Sequence, residues 1–229
     1  MNLPAPHTLK PRKTPRQARS AVTVEAISEA TIQVLLSEGL NRLTTTRVAA
    51  RAGVSVGTLY QYYPHKQSLL FAVLGLHLSH VATAVEAACD AQKGQPIAAM
   101  VDALVRAFVK AKTSHIDASR ALYMVAAELD TTELLLQLSK RMTAAVSSML
   151  ASCADLHFDD LPMTSFMLRS AMVGPTRGVI ERGAAPRMLR ALQDHLVMLC
   201  EGYLRTVGTA VQPGNATTTA DSSTIAVTR

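Results

Sequence analysis

Residues 44–66 read TTTRVAARAGVSVGTLYQYYPHK, and this stretch holds the side chains most able to do polar chemistry. Gln61 can hydrogen-bond a base edge, Thr58 can meet a base or a thymine methyl, and tyrosine hydroxyls such as those of Tyr60 and Tyr62 can reach phosphates. Gly57 lets a partner's backbone come close. Lys66 opens a helix, where an ammonium and free amides together suit a phosphate. These groups act together only if a rigid element presents them, and the spacing supplies one. Thr45 reads as the N-cap of a short helix over 46–52 with Val48, Ala49 and Ala52 on one face. Gly53 offers the positive φ of a tight turn. Small Ala49 lets a second short helix, Val56–Tyr63, cross close by. In that helix Leu59 and Tyr63 are four apart and face inward, which leaves Val56, Gly57, Thr58, Tyr60, Gln61 and Tyr62 outside. The unit is a helix–turn–helix. A helical hairpin that merely packs is the competing reading; local charge and exposed tyrosines weigh against it.

No catalytic constellation emerges elsewhere: no G-x-S-x-G, no glycine-rich phosphate loop, no H-E-x-x-H and no convincing carboxylate pair. The HFDD at 157–160 reads as a loop and helix cap. His77 and His80, three apart, would need a third ligand to hold a metal, so neither metal nor cofactor is expected. Cys89, Cys153 and Cys200 lie far apart and read as reduced thiols. Nine methionines (Met100, Met124, Met142, Met149, Met163, Met167, Met172, Met188 and Met198) spread over residues 100–198. They suit either ordinary core or an adaptable pocket for a small apolar or amphipathic effector. The candidate ligand-binding residues are His77, Met100, His115, Tyr123, Met124, Met167, Arg169 and Thr176.

The elements behind these groups are helical. Alanine, leucine and methionine abound, aromatic residues make up 4%, and apolar residues recur at three-to-four spacing. No sheet is expected. A first helix over 17–38 has Ala26, Ile27, Ala30, Val34 and Leu35 as its buried stripe and Gly39 as its stop. A long helix runs from Lys66 towards Ala91. Further helices fit 97–112, 116–128, 131–154, 161–183 and 185–207. Residues 1–16 read as a disordered basic arm and 209–229 as a disordered tail.

Of 229 residues 48% are hydrophobic, and the formal net charge is +6. The excess is local. Residues 1–67 carry Lys10, Arg12, Lys13, Arg16, Arg19, Arg42, Arg47, Arg51 and Lys66 against Glu25, Glu29 and Glu38, while the remainder balances to zero. A basic module joined to a neutral one predicts a polyanion partner for the first. No apolar run reaches the eighteen or so residues of a membrane span, and no apolar segment follows the basic N-terminus. The expectation is a soluble, cytoplasmic protein with no membrane partner.

Ser170, Gly174 and Gly178 form a small-residue stripe four apart on helix 161–183, which Pro175 should kink. Leu189, Leu192, Leu196 and Leu199 lie along helix 185–207. Together these two helices offer a dimer surface; closing the monomer core is the alternative.

The pattern TTTRVAxRAGVSxGTLYxYYxxKxxLL, within Gly39–Leu70, resembles the tetracycline-repressor (TetR) family of bacterial transcriptional regulators. The likeness covers about 55 residues, Ala18 to Ala72. It implies an all-α fold of about nine helices, with an N-terminal three-helix DNA-binding domain (17–72) and a C-terminal helical ligand-binding and dimerisation domain (73–208). It makes Thr45 a phosphate contact and places Thr46 and Arg47 at base or backbone contacts. Val56, Gly57, Thr58, Gln61 and Tyr62 fall on the recognition helix, and Tyr60 and Lys66 on phosphates. It also implies a four-helix bundle across a homodimer. Tyr63 stands where phenylalanine is common. His65 stands where a capping Asn, Ser or Asp is common, so a weaker cap is expected. The implied function is a repressor released from a palindromic double-stranded DNA operator by a small-molecule effector. An architectural or effector-independent DNA-binding protein, and a helical enzyme with an appended helix–turn–helix, are the alternatives. The arm LKPRKTPRQAR could reach a minor groove or only raise non-specific affinity.

Overall fold

The computed structural model describes residues 18–211, and the expected basic arm and nearly all of the expected tail lie outside them. The described residues form nine helices: α1 (Ala18–Glu38), α2 (Thr45–Ala52), α3 (Val56–Tyr62), α4 (Lys66–Ala91), α5 (Ile97–Thr113), α6 (Ile116–Glu128), α7 (Thr132–Leu150), α8 (Leu161–Glu181) and α9 (Pro186–Val207). Two two-residue strands, β1 (Leu156–His157) and β2 (Thr209–Ala210), pair antiparallel.

The first three helices pack on the stripe expected of α1. Ile27, Ala30, Val34 and Leu35 are buried with Leu43, Val48, Ala49 and Leu59, and Ala26 is half-buried. Gly39 ends α1 at φ +79°. Gly53 ends α2 at φ +67°, and an added Cβ there would touch nothing, so its demand is conformational and not steric.

Helix α4 corrects one expectation. An 18-residue window within it has mean hydropathy 1.7, long and apolar enough by composition to span a membrane. No unbroken apolar run there is that long, but hydropathy averages across the scattered serines and histidines. Two thirds of that window is buried inside the protein. Leu69 to Leu74 complete the N-terminal core, and Val81, Ala82, Val85 and Cys89 pack into the second. Its N-terminus corrects another expectation. His65 Nδ1 accepts from the Ser68 amide at 3.1 Å, and Ser68 Oγ accepts from the His65 amide at 3.3 Å. This reciprocal capping box satisfies two orphan donors, so imidazole does here what Asn or Asp would do.

Helix α7 lies along α4. Arg141 forks onto Glu86 through Nε (2.9 Å) and Nη2 (2.7 Å), and its Nη1 donates to Ser79 Oγ at 3.3 Å. Expected to reach 154, α7 stops at Leu150, and the chain turns into β1. No sheet was expected, because two-residue strands are too short to show alternation. The pairing clasps the end of α9. Val211 donates to the Asp155 carbonyl at 3.0 Å, and Asp155 Oδ1 accepts from the Ile97 amide at 2.8 Å. One short segment thus ties α5, α7 and α9 together.

Gly208 sits in that clasp. A Cβ there would come 2.9 Å from Leu204 O, 2.9 Å from Phe158 Cε1 and 3.2 Å from Leu156 Cδ1. Overpacking against a fixed carbonyl destabilises by about 1–3 kcal/mol. Gly208→Ala should therefore lower the thermal midpoint by several degrees, whereas Gly202→Ala, where an added Cβ meets nothing within 4 Å, should leave it unchanged or raise it. Thermal unfolding followed by circular dichroism reads both.

Candidate nucleic-acid interface and a buried cationic cluster

Ser55 caps α3, its Oγ accepting from the Thr58 amide at 2.9 Å and sharing a 2.8 Å hydrogen bond with Thr58 Oγ1. Leu59 and Tyr63 are buried as expected, and burial beside Tyr62 pushes the Tyr63 phenol up to about 12. Gly57, Tyr60 and Gln61 are exposed; Val56, Thr58 and Tyr62 are half-buried.

Several residues behave differently from the sequence reading. Thr44, and not Thr45, caps α2: its Oγ1 accepts from the Arg47 amide at 3.3 Å. Thr45 is only 9% exposed and shares a 3.0 Å hydrogen bond with the Tyr60 hydroxyl. That bond joins the start of α2 to the middle of α3, so both hydroxyls are already engaged. Neighbouring threonines are equal capping candidates by sequence, and burial of the second separates them. Arg47 donates through Nη1 to the Arg42 carbonyl at 2.8 Å and pairs with Glu38. Lys66 Nζ donates to the Leu40 carbonyl at 2.6 Å and so staples α4 to the α1–α2 turn. Two ammonium protons are left for an outside anion. Thr46, Arg42 and Arg51 are exposed.

Gly57 is informative by contrast. A Cβ there would meet only Ser55 Oγ, at 3.7 Å, an ordinary contact, and its backbone is not left-handed. Alanine would favour the helix by about 1 kcal/mol. Nothing among the described residues requires glycine at this exposed point.

Of the eight candidate ligand residues, six lie away from the groove that the other two border. Met100 is fully buried in the core, and Met124 and Met167 are on the surface. His77 and His115 border a groove of about 1070 Å³ between α1 and the start of α6, with Val24, Ile32, Leu76 and Ile116 among its walls. Ser119 Oγ donates to the Lys112 carbonyl at 2.7 Å and lies 3.2 Å from His77 Nε2. A hydroxyl has one proton, so His77 donates, and its proton sits on Nε2. Burial lowers the His77 pKa to about 4, aided by Lys112, His80 and His115.

Tyr123 lies within a cationic cluster. Lys112 Nζ is 5.2 Å and Arg177 Cζ 5.1 Å from the centre of its ring. Arg177 is paired with Glu181 at 2.7 Å. Lys112 is 7% exposed and has no anionic partner among the described residues. Burial first, and Arg177 second, lower its pKa to about 8. Removing an ammonium from water costs several kcal/mol. The carbonyl end of α5 offsets about 0.3–1 kcal/mol, and the ring about 0.5–2 kcal/mol. The charge is therefore under-compensated. Lys112 is not among the residues expected at a site, although Val101, Leu104, Val105 and Phe108 place it on the buried stripe of α5. Two buried side-chain atoms find no hydrogen-bond partner among the described residues: Arg169 Nε and Thr176 Oγ1, two turns apart on one side of α8. The Arg169 guanidinium lies over Phe166 at 5.6 Å, and burial lowers its pKa.

The proposed dimer residues also divide. Leu192 and Leu196 are buried within the protomer, against Cys200 and Leu204 of the same stripe. Ser170, Gly178 and Leu189 are half-buried; Gly174 and Leu199 are exposed. Met163, Phe166 and Met167 on α8, and Met188, Met198 and Leu199 on α9, form exposed apolar faces at helical spacing.

The His77 shift carries a pH dependence. Its folded pKa lies below the ordinary 6.5, so the unfolded chain binds the proton more tightly. Stability from this group is present above pH 6.5 and is lost as pH falls towards 4. Between pH 7 and 4.5 wild type should lose more thermal stability than His77→Gln, and equal slopes would contradict the assignment.

Two family models match the chain. "Bacterial regulatory proteins, tetR family" covers residues 27–73, and "Tetracyclin repressor-like, C-terminal domain" covers 96–204. The nucleoid occlusion factor SlmA of Pasteurella multocida is 33% identical over 85 residues, 37% of this chain and 38% of that protein. The HTH-type transcriptional repressor DrrR1 of Streptomyces coeruleorubidus is 36% identical over 63 residues, 28% of this chain and 23% of that protein. The matches thus span well under half of either relative. Among solved structures, a TetR-family regulator from Mesorhizobium loti superposes with TM-score 0.67 at 19% identity, covering 84% of this chain and all of that one. The fatty acid degradation regulator FadR from Bacillus halodurans gives TM-score 0.64 at 16% identity, covering 84% and 98%. Both share the fold. With its DNA-binding helices and its C-terminal helical domain each matched, the chain belongs to the tetR family of bacterial regulatory proteins.

Proposed function

We propose that the chain is a homodimeric, sequence-specific DNA-binding transcriptional regulator of the bacterial cytoplasm, a repressor released from a pseudo-palindromic operator by a small effector. One observation carries this reading. Helix α3 holds Leu59 in the core and turns Gly57 and Gln61 outward, where neither has a role in the fold. Residues 1–67, which include this helix and the basic N-terminal stretch, carry all the excess positive charge. Gln61 and Thr58 would read base edges, and Thr46, Val56 and Tyr62 would flank them. Lys66, with Arg42 and Arg51, would neutralise phosphates.

Two copies would join through the exposed apolar faces of α8 and α9, where Ser170, Gly174 and Gly178 permit close approach. Their recognition helices would then enter successive major grooves about 34–36 Å apart. Helix α4, about 39 Å long from its 26 residues, joins reading head to effector domain, so a shift of its far end changes that separation. The effector must bind the released geometry more tightly for any release to follow.

Selection of bound duplexes from a random pool, with sedimentation of the full chain, tests the proposal. A palindromic consensus bound by a dimer supports it; a specificity ratio near one would favour an architectural protein. Turnover of a bound small molecule would favour an enzyme.

Gly57→Ala should raise the thermal midpoint yet weaken operator binding at least tenfold, because the added methyl stands between helix and groove. Gln61→Ala should relax discrimination at one base step. Lys66→Ala should weaken all duplexes alike and flatten the salt dependence by about one unit of slope. It should also lower stability, since the Leu40 carbonyl loses its donor. Fluorescence anisotropy at several salt concentrations separates these outcomes.

A further inference from the structure

We propose that the effector domain takes a small amphipathic carboxylate, whose anionic end binds Lys112 Nζ and Thr176 Oγ1 between α5, α6 and α8. This inference rests on the effector reading above and names the chemistry of its ligand.

Four observations converge. Lys112 is more than nine-tenths buried, and the charged group acting on it is another cation, Arg177. Tyr123 is flanked by both cations, so the cluster draws positive charge to one ring from two helices. Thr176, next along α8 from Arg177, is fully buried with an unpartnered hydroxyl. A buried helical threonine ordinarily satisfies its hydroxyl on the carbonyl one turn back, as Thr31 does with Ile27 at 2.7 Å and Thr113 with Val109 at 2.7 Å. Thr176 does not. Lastly, Arg169 Nε on the same side of α8 is also unsatisfied.

A nearly buried lysine with no anionic partner among the described residues, and a buried hydroxyl with no hydrogen-bond partner among them, form half of an ion pair. A carboxylate supplies the other half. It brings one negative charge and up to four lone pairs, enough to accept from Lys112 and Thr176 together. The charge count disfavours a phosphate dianion: Arg177 is already neutralised by Glu181, so one of its two charges would stay buried without compensation. The surroundings are apolar, with Leu122, Val125, Met172 and Ile180 buried on α6 and α8, so the remainder of the ligand should be hydrocarbon.

The test is thermal unfolding of the full chain at pH 7 in straight-chain monocarboxylates from acetate to decanoate. Each is compared with the alcohol of equal chain length and with chloride at equal ionic strength. Some member of the acid series should raise the midpoint by several degrees beyond both controls. Lys112→Met should remove that rise while raising the midpoint of the ligand-free protein, because it deletes an uncompensated charge. Thr176→Val, nearly isosteric, should weaken binding of the same acid at least fivefold by calorimetry, and it keeps the test decisive if Lys112→Met folds poorly. The proposal is overturned if no acid exceeds its alcohol, or if both variants retain the wild-type rise, which would place binding on the basic surface. Release of a duplex selected by the wild-type chain is scored separately. An acid that binds at Lys112 but leaves the duplex bound retains the site and removes the effector role. A neutral molecule that releases the duplex while no acid binds retains the role and removes the site.

Discussion

Helix α4 must satisfy two cores with one rigid rod. Its first three turns carry Leu69, Leu70, Phe71, Val73 and Leu74 into the package built by α1, α2 and α3. Its later turns carry Val81, Ala82, Val85 and Cys89 into the package of α5 and α7. A helix interior offers no soft dihedrals once its hydrogen bonds are made, so the two packages cannot move independently at their join. The capping box at His65, the Lys66 bond to Leu40 and the Arg141 fork onto Glu86 hold the rod at both ends and along its side. This rod and the α1–α6 contact beside it join the C-terminal helical domain to the DNA-binding helices.

That arrangement divides the polar residues of the helix–turn–helix into two groups. Thr45, Tyr60, Arg47 and Lys66 spend hydrogen bonds within the chain and fix α2, α3 and α4 relative to one another. Gly57 and Gln61 do no such work and face outward. A recognition surface needs both groups. Base-edge hydrogen bonds discriminate only when their donors are held in place, since misplacement by a fraction of an ångström removes the geometric advantage of the right base.

The C-terminal helical domain carries the opposite feature, a local shortfall. Thr176 and Arg169 leave buried polar atoms with no hydrogen-bond partner among the described residues, and nearly buried Lys112 has no anionic partner there. Natural proteins tolerate such local destabilisation where binding needs it, because the fold has stability to spare elsewhere. Here the clasp of β1 and β2, the Asp155 cap on α5 and the long apolar contacts of α4 supply that surplus.

The amino-acid sequence by itself determined the helical class, the helix–turn–helix and the segregation of positive charge. Each of these is a local property: apolar periodicity, a glycine in the left-handed turn, and the order of charged residues along the chain. Helix ends came within a residue or two except at α7, whose continuation into a strand depends on a partner some fifty residues away. Tertiary structure decided which of two adjacent threonines caps α2, because burial of Thr45 against Tyr60 is a long-range fact. It also decided that Leu192 and Leu196 face inward while Met198 and Leu199 face outward, since a leucine stripe shows that a face is apolar and not what covers it. Above all, it decided that Lys112 is buried beside Tyr123 with no anionic partner among the described residues. A lysine in an apolar register can snorkel, pair or stand uncompensated, and only the packing of α6 and α8 around it selects among the three.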